Sequence, residues 1–149
     1  MEQMVSGINP NSIFTAENMK DKNLDEVDNI ISEYKEKSQN FISEYEELVT
    51  EQKIAENINK EKISIRKSYY TNLYNEVMLS DVMKEQYNEL GEEIKNEKGR
   101  LYEKLNKIEK MKTFLEEHES SWTIKEDKIQ FTNLNRMTEY YNLLNQIID

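Results

Sequence analysis

The chain has 149 residues, with no cysteine, three glycines, one proline and 30 acidic against 20 basic side chains, for a net charge of -10. The absence of cysteine excludes a disulfide framework, thiolate chemistry and a cysteine zinc site. A uniformly acidic chain is repelled by nucleic acid and by anionic membranes, so either partner would require a local basic patch. Apolar residues make up only 36%, which is typical of elongated helices with a narrow apolar seam.

Two further features concern location and source. The sequence contains no run of about 18 apolar residues, and its N-terminus lacks the basic-then-apolar layout of a secretory signal. Lysine greatly outnumbers arginine, which occurs only at positions 66, 100 and 136, as in many AT-rich genomes. We therefore expect a soluble protein with no membrane partner, either intracellular or part of a virion or another large assembly.

Residues 1–22 form a polar leader without a sustained apolar period. Asn9-Pro10 is a turn signal, and Thr15 is a suitable N-cap for a short helical turn over AENMKDK. A terminal segment of this kind is ordered only where something holds it. The leader at 1–22 is therefore predicted to be flexible or bound to a partner.

A heptad-like apolar seam begins at Leu24 and predicts helical structure over 23–119. Steps of three and four residues meet mostly apolar or aromatic side chains, and the residues between them are mainly polar. The positions of this first seam are Leu24, Val27, Ile31, Tyr34, Ser38, Phe41, Tyr45, Leu48, Gln52 and Ala55. The register then changes near 56–63. The pattern resumes at Tyr69, Tyr70, Leu73, Tyr74 and Val77.

A second long helix is predicted to begin at Ser80 or Asp81, because either residue is a good N-cap. Its apolar positions are Met83, Tyr87, Leu90, Ile94, Leu101, Leu105, Ile108, Met111 and Leu115. Gly91 and Gly99 each weaken it by about 1 kcal/mol relative to alanine. We expect an all-α fold, a long antiparallel helical hairpin or coiled coil that turns near Ser80, so that residue i faces about residue 160 − i.

The C-terminal part, 120–149, ends in a predicted amphipathic helix over about 133–148. This helix carries apolar side chains on more than one face, so it either completes the core of this chain or docks on another subunit. The candidate protein-interface residues are Trp122, Phe131, Tyr140, Tyr141, Leu144, Ile147 and Ile148.

The connector before that helix contains the only tryptophan of the chain, in the sequence WTIKEDKIQF. Its apolar residues alternate with polar ones around a central Glu-Asp pair, which predicts a small β-hairpin at 122–131 with Trp122 opposite Phe131. Glu-Asp is a poor two-residue turn. The alternative is an extended or helical connector that covers the open end of the helical hairpin. In either case we expect Trp122 to be a packing anchor.

The sequence offers no convincing active site. His118 is the only histidine, so no His pair exists for zinc and no Ser-His-Asp set beyond a coincidental one. The neighbouring Glu116, Glu117 and Glu119 allow at most a weak metal site, and a solvated helix end is the simpler interpretation. Gly91 and Gly99 form no phosphate-binding loop. We expect a protein that is not an enzyme and has no metal, cofactor or small-molecule substrate.

One stretch, NKEKISIRKSYYTNLY at 59–74, combines basic and aromatic residues. A single-stranded nucleic-acid groove needs this combination, with charge for phosphates and rings for stacking. In the expected hairpin, residues 60–67 approach 93–100 and extend the basic band, although Glu92, Glu93 and Glu97 reduce its field. The candidate nucleic-acid residues are Lys60, Lys62, Arg66, Lys67, Tyr69, Tyr70, Lys95, Lys98 and Arg100. A salt-bridged, solvated helix face is the alternative interpretation.

The sequence KMKTFLEEHESSWTIKEDKIQF, residues 110–131, resembles the C-terminal part of the phage recombination mediators, which load a recombinase onto single-stranded DNA. In that family a helix is followed by an aromatic residue, then Ile-Lys, then another apolar-aromatic step. The resemblance covers 22 of 149 residues and implies a single-stranded nucleic-acid accessory role. The acidic charge of this chain departs from what a DNA-binding family needs.

Together these features predict a non-enzymatic structural or assembly subunit of a larger complex, with a phage or virus particle as the most specific version. Its coiled-coil and terminal-helix contacts would join copies of the chain or other protein subunits. One alternative is the nucleic-acid accessory protein. Another is a helical assembly or secretion chaperone that masks a client.

Overall fold

The computed structural model describes residues 1–50, 53, 56, 66–78, 80–126 and 128–148. Its elements in chain order are α1 (Glu2–Gly7), α2 (Pro10–Ile13), α3 (Asp25–Val49), α4 (Lys67–Met78), α5 (Asp81–Glu117), β1 (Trp122–Lys125), β2 (Lys128–Phe131) and α6 (Leu134–Ile148). Short 3₁₀ turns at Lys20–Lys22 and Glu119–Ser121 complete the order. The expected all-α class, the C-terminal helix and the small antiparallel hairpin are confirmed.

Asparagine side chains cap three of these helices at their N-termini. Asn9 accepts a hydrogen bond from the backbone N–H of Asn11 at 2.9 Å, before Pro10 opens α2. Asn23 and Asn133 make the corresponding bonds to the second residue after each of them, at 2.7 and 2.8 Å. Each cap satisfies one of the N–H groups that the first helical turn leaves without an internal partner.

The chain divides into two compact units. The terminal unit comprises Met1–Glu36 and Glu97–Asp149, and the central unit comprises Lys37–Asn96. These boundaries fall inside α3 and α5. The predicted division at 22/23 and 119/120 cuts the chain at other points, both within the terminal unit.

The terminal unit has one continuous apolar core. The leader contributes to it, since Ile8, Ile13, Phe14 and Met19 are all buried. The other buried members are Leu24, Val27, Ile31, Leu101, Leu105, Ile108, Met111, Leu115, Trp122, Tyr140, Leu144 and Ile147. The leader's apolar side chains are therefore covered by this chain itself, which gives the polar segment a reason to be ordered.

Within the terminal unit, α3 and α5 pack antiparallel. Lys112 forms an ion pair with Asp28 at 3.0 Å, and Lys35 forms one with Glu109 at 2.7 Å. The later residue of α3 thus pairs with the earlier residue of α5, as it must when two helices run in opposite directions. The buried positions of α5 follow the three- and four-residue steps of the predicted seam, as in a coiled-coil pair.

In the central unit, the expected pairing of residue i with residue 160 − i is wrong. The Tyr45 hydroxyl donates a hydrogen bond to the carbonyl of Tyr87, whereas the expected register places residue 115 there. The Tyr74 hydroxyl reaches the Leu48 carbonyl at 3.3 Å. A continuous helix would separate residues 48 and 74 by about 39 Å. Helix α4 therefore packs beside the end of α3 instead of extending it, which shifts the register.

The connector forms the predicted hairpin. Trp122 pairs with Phe131 and Ile124 with Ile129, in an antiparallel two-stranded sheet. Glu126, at the first turn position, has φ of 52°, in the left-handed region that tight two-residue turns require. The second turn residue, Asp127, lies outside the described residues. Pairing across the strands, and not the quality of the turn sequence, decides the structure here.

Two predicted seam positions, Gln52 and Ala55, lie outside the described residues, as do residues 57–63 of the predicted register change. None of the helices within the described ranges combines the length and the apolarity that crossing a bilayer requires.

Candidate protein-interaction surfaces

Trp122 is a packing anchor that also caps a helix. The side chain is 2% exposed, and its indole N–H donates to the Leu115 carbonyl at 2.8 Å. That carbonyl belongs to the last turn of α5, where backbone acceptors lack helical partners. The Lys22 ammonium lies 5.2 Å from the centre of the indole ring and donates to the Glu119 carbonyl. One side chain therefore ties the leader, α5 and the hairpin together.

The seven predicted interface residues fall into two groups. Trp122, Tyr140, Leu144 and Ile147 are buried, and Phe131 is half-buried, so this chain already covers most of their surface. Tyr141 and Ile148 are 50% and 54% exposed. Of the two arrangements considered for the C-terminal helix, the structure has the intramolecular one, in which α6 completes the core of the terminal unit. Only the second group remains accessible to another protein.

A row of aromatic side chains links α5, the hairpin and α6. Phe114 lies edge-on to His118 with centroids 4.8 Å apart, and it contacts Phe131 at 6.4 Å. Phe131 contacts Tyr140 at 5.2 Å, and Tyr140 contacts Tyr141 at 5.5 Å. Burial, with a smaller contribution from Tyr141, raises the pKa of Tyr140 to about 12. His118 therefore takes part in ring packing.

A groove of about 630 Å³ lies between the leader, β2 and α6 of the terminal unit. Three consecutive residues of β2 line it, namely Lys128, Ile129 and Gln130. Side chains of a strand alternate between its two faces, so three in succession line one groove only where the strand presents its edge. The strand β1 occupies the other edge of β2. The groove thus exposes a strand edge beside Tyr141.

The described residues of the central unit form almost no buried core. Among its described residues only Ser38 and Ile94 are buried. Its exposed large apolar or aromatic residues are Leu48, Tyr69, Tyr70, Leu73, Val77, Val82 and Leu90. All but Val82 occupy positions that the sequence assigns to apolar seams. Tyr69 and Tyr70 are predicted as surface residues in the nucleic-acid hypothesis, whereas the exposure of the other five is not predicted. The polar Ser38 and Gln52 at seam positions are the one signal in the sequence that this seam is not fully covered.

A close approach between two helices does occur in the central unit. The ring of Tyr45 packs over Gly91, and a Cβ atom built on that glycine would lie 3.3 Å from the tyrosine hydroxyl. Burial and then the neighbouring Tyr87 raise the pKa of Tyr45. The absence of a side chain at Gly91 thus leaves space for the ring of Tyr45. The sequence predicts only that this glycine weakens the helix, and it does not predict this contact. Gly99 has no such neighbour.

The predicted nucleic-acid residues belong to three parts of the chain: the residues outside the described ranges, the central unit and the terminal unit. Lys60 and Lys62 lie outside the described residues, and Lys67 begins α4. Arg66 is exposed and has φ of 83°. Tyr69 and Tyr70 are exposed and contact each other edge-on at 5.4 Å.

The remaining members of that set lie on α5 and have neighbours of their own. Lys95, in the central unit, lies 3.6 Å from Glu92. In the terminal unit, Arg100 pairs with Glu97 at 2.9 Å, and the Lys98 ammonium lies 5.6 Å from the ring of Tyr102. Carboxylates beside these cations reduce the field available to phosphates. A nucleic-acid site on these residues stays a prediction.

Lys112 is the least exposed lysine among the ion pairs described for the terminal unit. Its side chain is 16% exposed and contacts Glu116 at 2.7 Å and Asp28 at 3.0 Å. The hydrogen bond that the Lys112 ammonium donates to the Glu116 carboxylate is the largest of the effects that raise the pKa of Lys112. The charge is therefore engaged in joining α3 to α5.

Across the described ranges, no three His, Asp or Glu side chains lie close enough together to hold a metal ion. Comparison with protein-family models, curated protein sequences and solved structures finds no match for this chain.

Proposed function

We propose that this protein is a non-enzymatic subunit of a larger protein assembly and acts through contacts of its helices with other protein chains. The observation that carries the proposal is the contrast between its two units. The terminal unit buries sixteen apolar residues in one core. The central unit, over its described residues, buries Ile94 alone among apolar residues and exposes seven large ones.

Apolar side chains in contact with water raise the free energy of the protein, and a partner that covers them removes this cost. Three of these residues, Tyr69, Leu73 and Val77, are neighbours on one face of α4, and contiguous exposed apolar surface usually marks an interaction site. Each Å² of apolar surface that a partner covers contributes about 25 cal/mol. Another chain is therefore the simplest cover for the exposed apolar side chains in the described part of the central unit. A subunit of a phage or virus particle is the specific form of this proposal, and it is supported only by the lysine-rich, arginine-poor composition.

The test is light scattering coupled to size-exclusion chromatography, at low and at physiological salt, together with binding of a dye that reports exposed apolar surface. We expect either a defined oligomer with little dye binding or a monomer that binds the dye strongly. The first result means that copies of the chain cover the surface, and the second means that a different protein does. A monomer that binds no dye contradicts the proposal, because no apolar surface then awaits a partner.

A further inference from the structure

The outer face of α4 carries a row of apolar residues spaced by four. Tyr69, Leu73 and Val77 are 55%, 41% and 60% exposed. Residues spaced by four lie nearly above one another on a helix and form the ridge used in the commonest class of helix packing. The opposite face of α4 is directed towards its own unit, since Thr71, Tyr74 and Asn75 are half-buried. Leu73 lies at the centre of the outer row.

This row is complementary to itself. It is symmetric about Leu73, so a two-fold axis at that residue places Tyr69 of each copy against Val77 of the other and the two leucines together. Ridges of this type interlock at a crossing angle of about −50°. An isologous contact of this kind closes after two copies and leaves no open end.

The charges at the two ends of α4, one of them just before the helix, favour the antiparallel orientation. Arg66 is exposed at the N-terminal end, and Glu76 is exposed near the C-terminal end. With the axis at Leu73, an antiparallel pair directs the end of α4 that carries Arg66 towards the end of the other copy that carries Glu76, and keeps the two Arg66 side chains apart. The arginine also approaches the negative end of the other helix dipole. A parallel pair would instead bring like charges together.

We propose that two copies of this chain associate through antiparallel α4 helices, with Leu73 on the two-fold axis. The inference rests on the proposed function and names the partner as a second copy. The pairing covers Tyr69, Leu73 and Val77 on each copy. A twelve-residue helix provides an interface at the small end of the range for specific contacts. We therefore expect a dissociation constant on the order of 1–10 µM.

The first experiment compares Leu73→Asp with Leu134→Asp by sedimentation equilibrium. Leu134 is also an exposed leucine at a described helical position, but it lies on α6. We expect Leu73→Asp to weaken dimerisation at least a hundredfold and Leu134→Asp to leave it unchanged. Circular dichroism of both variants establishes that each retains its helices, so that a loss of dimer is not a loss of fold.

The second experiment tests the orientation. Arg66→Glu and Glu76→Arg should each weaken the dimer about tenfold, because each creates two like-charge contacts across the axis. The double variant should recover the wild-type dissociation constant. Because the chain has no cysteine, Leu73→Cys should also give a covalent dimer on mild oxidation, and Leu134→Cys should give far less.

Three results overturn the inference. The first is a dimer that Leu73→Asp leaves intact; assembly then uses another face, and the proposed function stands. The second is a double charge variant no tighter than its parents, which contradicts the antiparallel pairing. The third is a wild-type chain that stays monomeric at about 200 µM, well above the expected dissociation constant. In that case dye binding decides whether the proposed function fails as well.

Discussion

Replacing Trp122 by phenylalanine tests the role of this residue in joining three parts of the terminal unit. The indole N–H is the donor to the Leu115 carbonyl, and both groups are buried. Phenylalanine keeps an aromatic ring beneath Lys22 but has no donor. The substitution therefore leaves the carbonyl of a buried helix end without its partner.

The expected loss of stability has two parts. An unsatisfied buried carbonyl costs about 1–3 kcal/mol. The phenylalanine ring is smaller than the indole, and Trp122 is only 2% exposed, so the substitution leaves a cavity in the core. By analogy with other large-to-small core substitutions, this cavity costs about a further 1–2 kcal/mol of stability. The contact with Lys22 changes little, since phenylalanine also attracts a cation. We expect Trp122→Phe to lower the free energy of unfolding by about 2–5 kcal/mol.

The assay is urea unfolding followed by far-ultraviolet circular dichroism, since the variant has no tryptophan fluorescence. Phe131→Leu is the matched control, because Phe131 pairs with Trp122 across the hairpin and its ring donates no hydrogen bond to a carbonyl. We expect the control to cost about 1 kcal/mol, from lost ring contacts. The reasoning is refuted if Trp122→Phe costs no more than the control at equal dependence on urea.

Three further substitutions test other features. The Ser38 hydroxyl is buried without a hydrogen-bond partner among the described residues. Ser38→Ala should therefore stabilise the protein by about 1 kcal/mol in urea unfolding, and Ser32→Ala, at an exposed helical position, should stabilise it by less. Equal gains in stability for the two variants would contradict a cost of burying the Ser38 hydroxyl. Glu126 has a positive φ, so Glu126→Gly should raise the thermal midpoint by relieving about 0.5–1 kcal/mol of backbone strain, whereas Lys125→Gly should lower it. The pKa of Tyr140 is about 12 when folded, against about 10 when unfolded. Because the raised pKa favours the folded state only while the hydroxyl is protonated, Tyr140 contributes up to about 2–3 kcal/mol to the free energy of unfolding below pH 10. This contribution disappears as the pH rises from about 10 to 12. Tyr140→Phe should lack this component of the alkaline fall in stability, and parallel curves for the two proteins would contradict the assignment.

Local chemistry accounts for much of the fold. Apolar spacing predicts the seam of α5 from Leu101 to Leu115, and those positions are buried. Ser80-Asp81 marks the start of α5, and alternation predicts the pairing of Trp122 with Phe131. These features depend on hydrogen bonds and periodicities within a few residues, so the sequence contains the information they need.

The sequence does not predict which apolar residues of the helices remain exposed. Leu90 and Ile94 lie one helical turn apart on the same predicted seam, yet Ile94 is buried and Leu90 is exposed. The C-terminal helix shows the converse case, because the sequence predicts Tyr140, Leu144 and Ile147 as interface residues and the structure places them in the core. A hydrophobic period indicates which face of a helix is apolar but not which element, if any, covers it.

By itself, then, the sequence determined the class of the protein, the course of its long helices, the hairpin and the acidic character that disfavours nucleic acid. The tertiary structure decided that the polar leader supplies Ile8, Ile13, Phe14 and Met19 to the core, that α4 folds back beside α3, and that the central unit is left with apolar side chains in solvent. The physical reason is that coverage is a non-local property. It depends on the arrival of a second surface from a distant part of the chain, which no local period encodes.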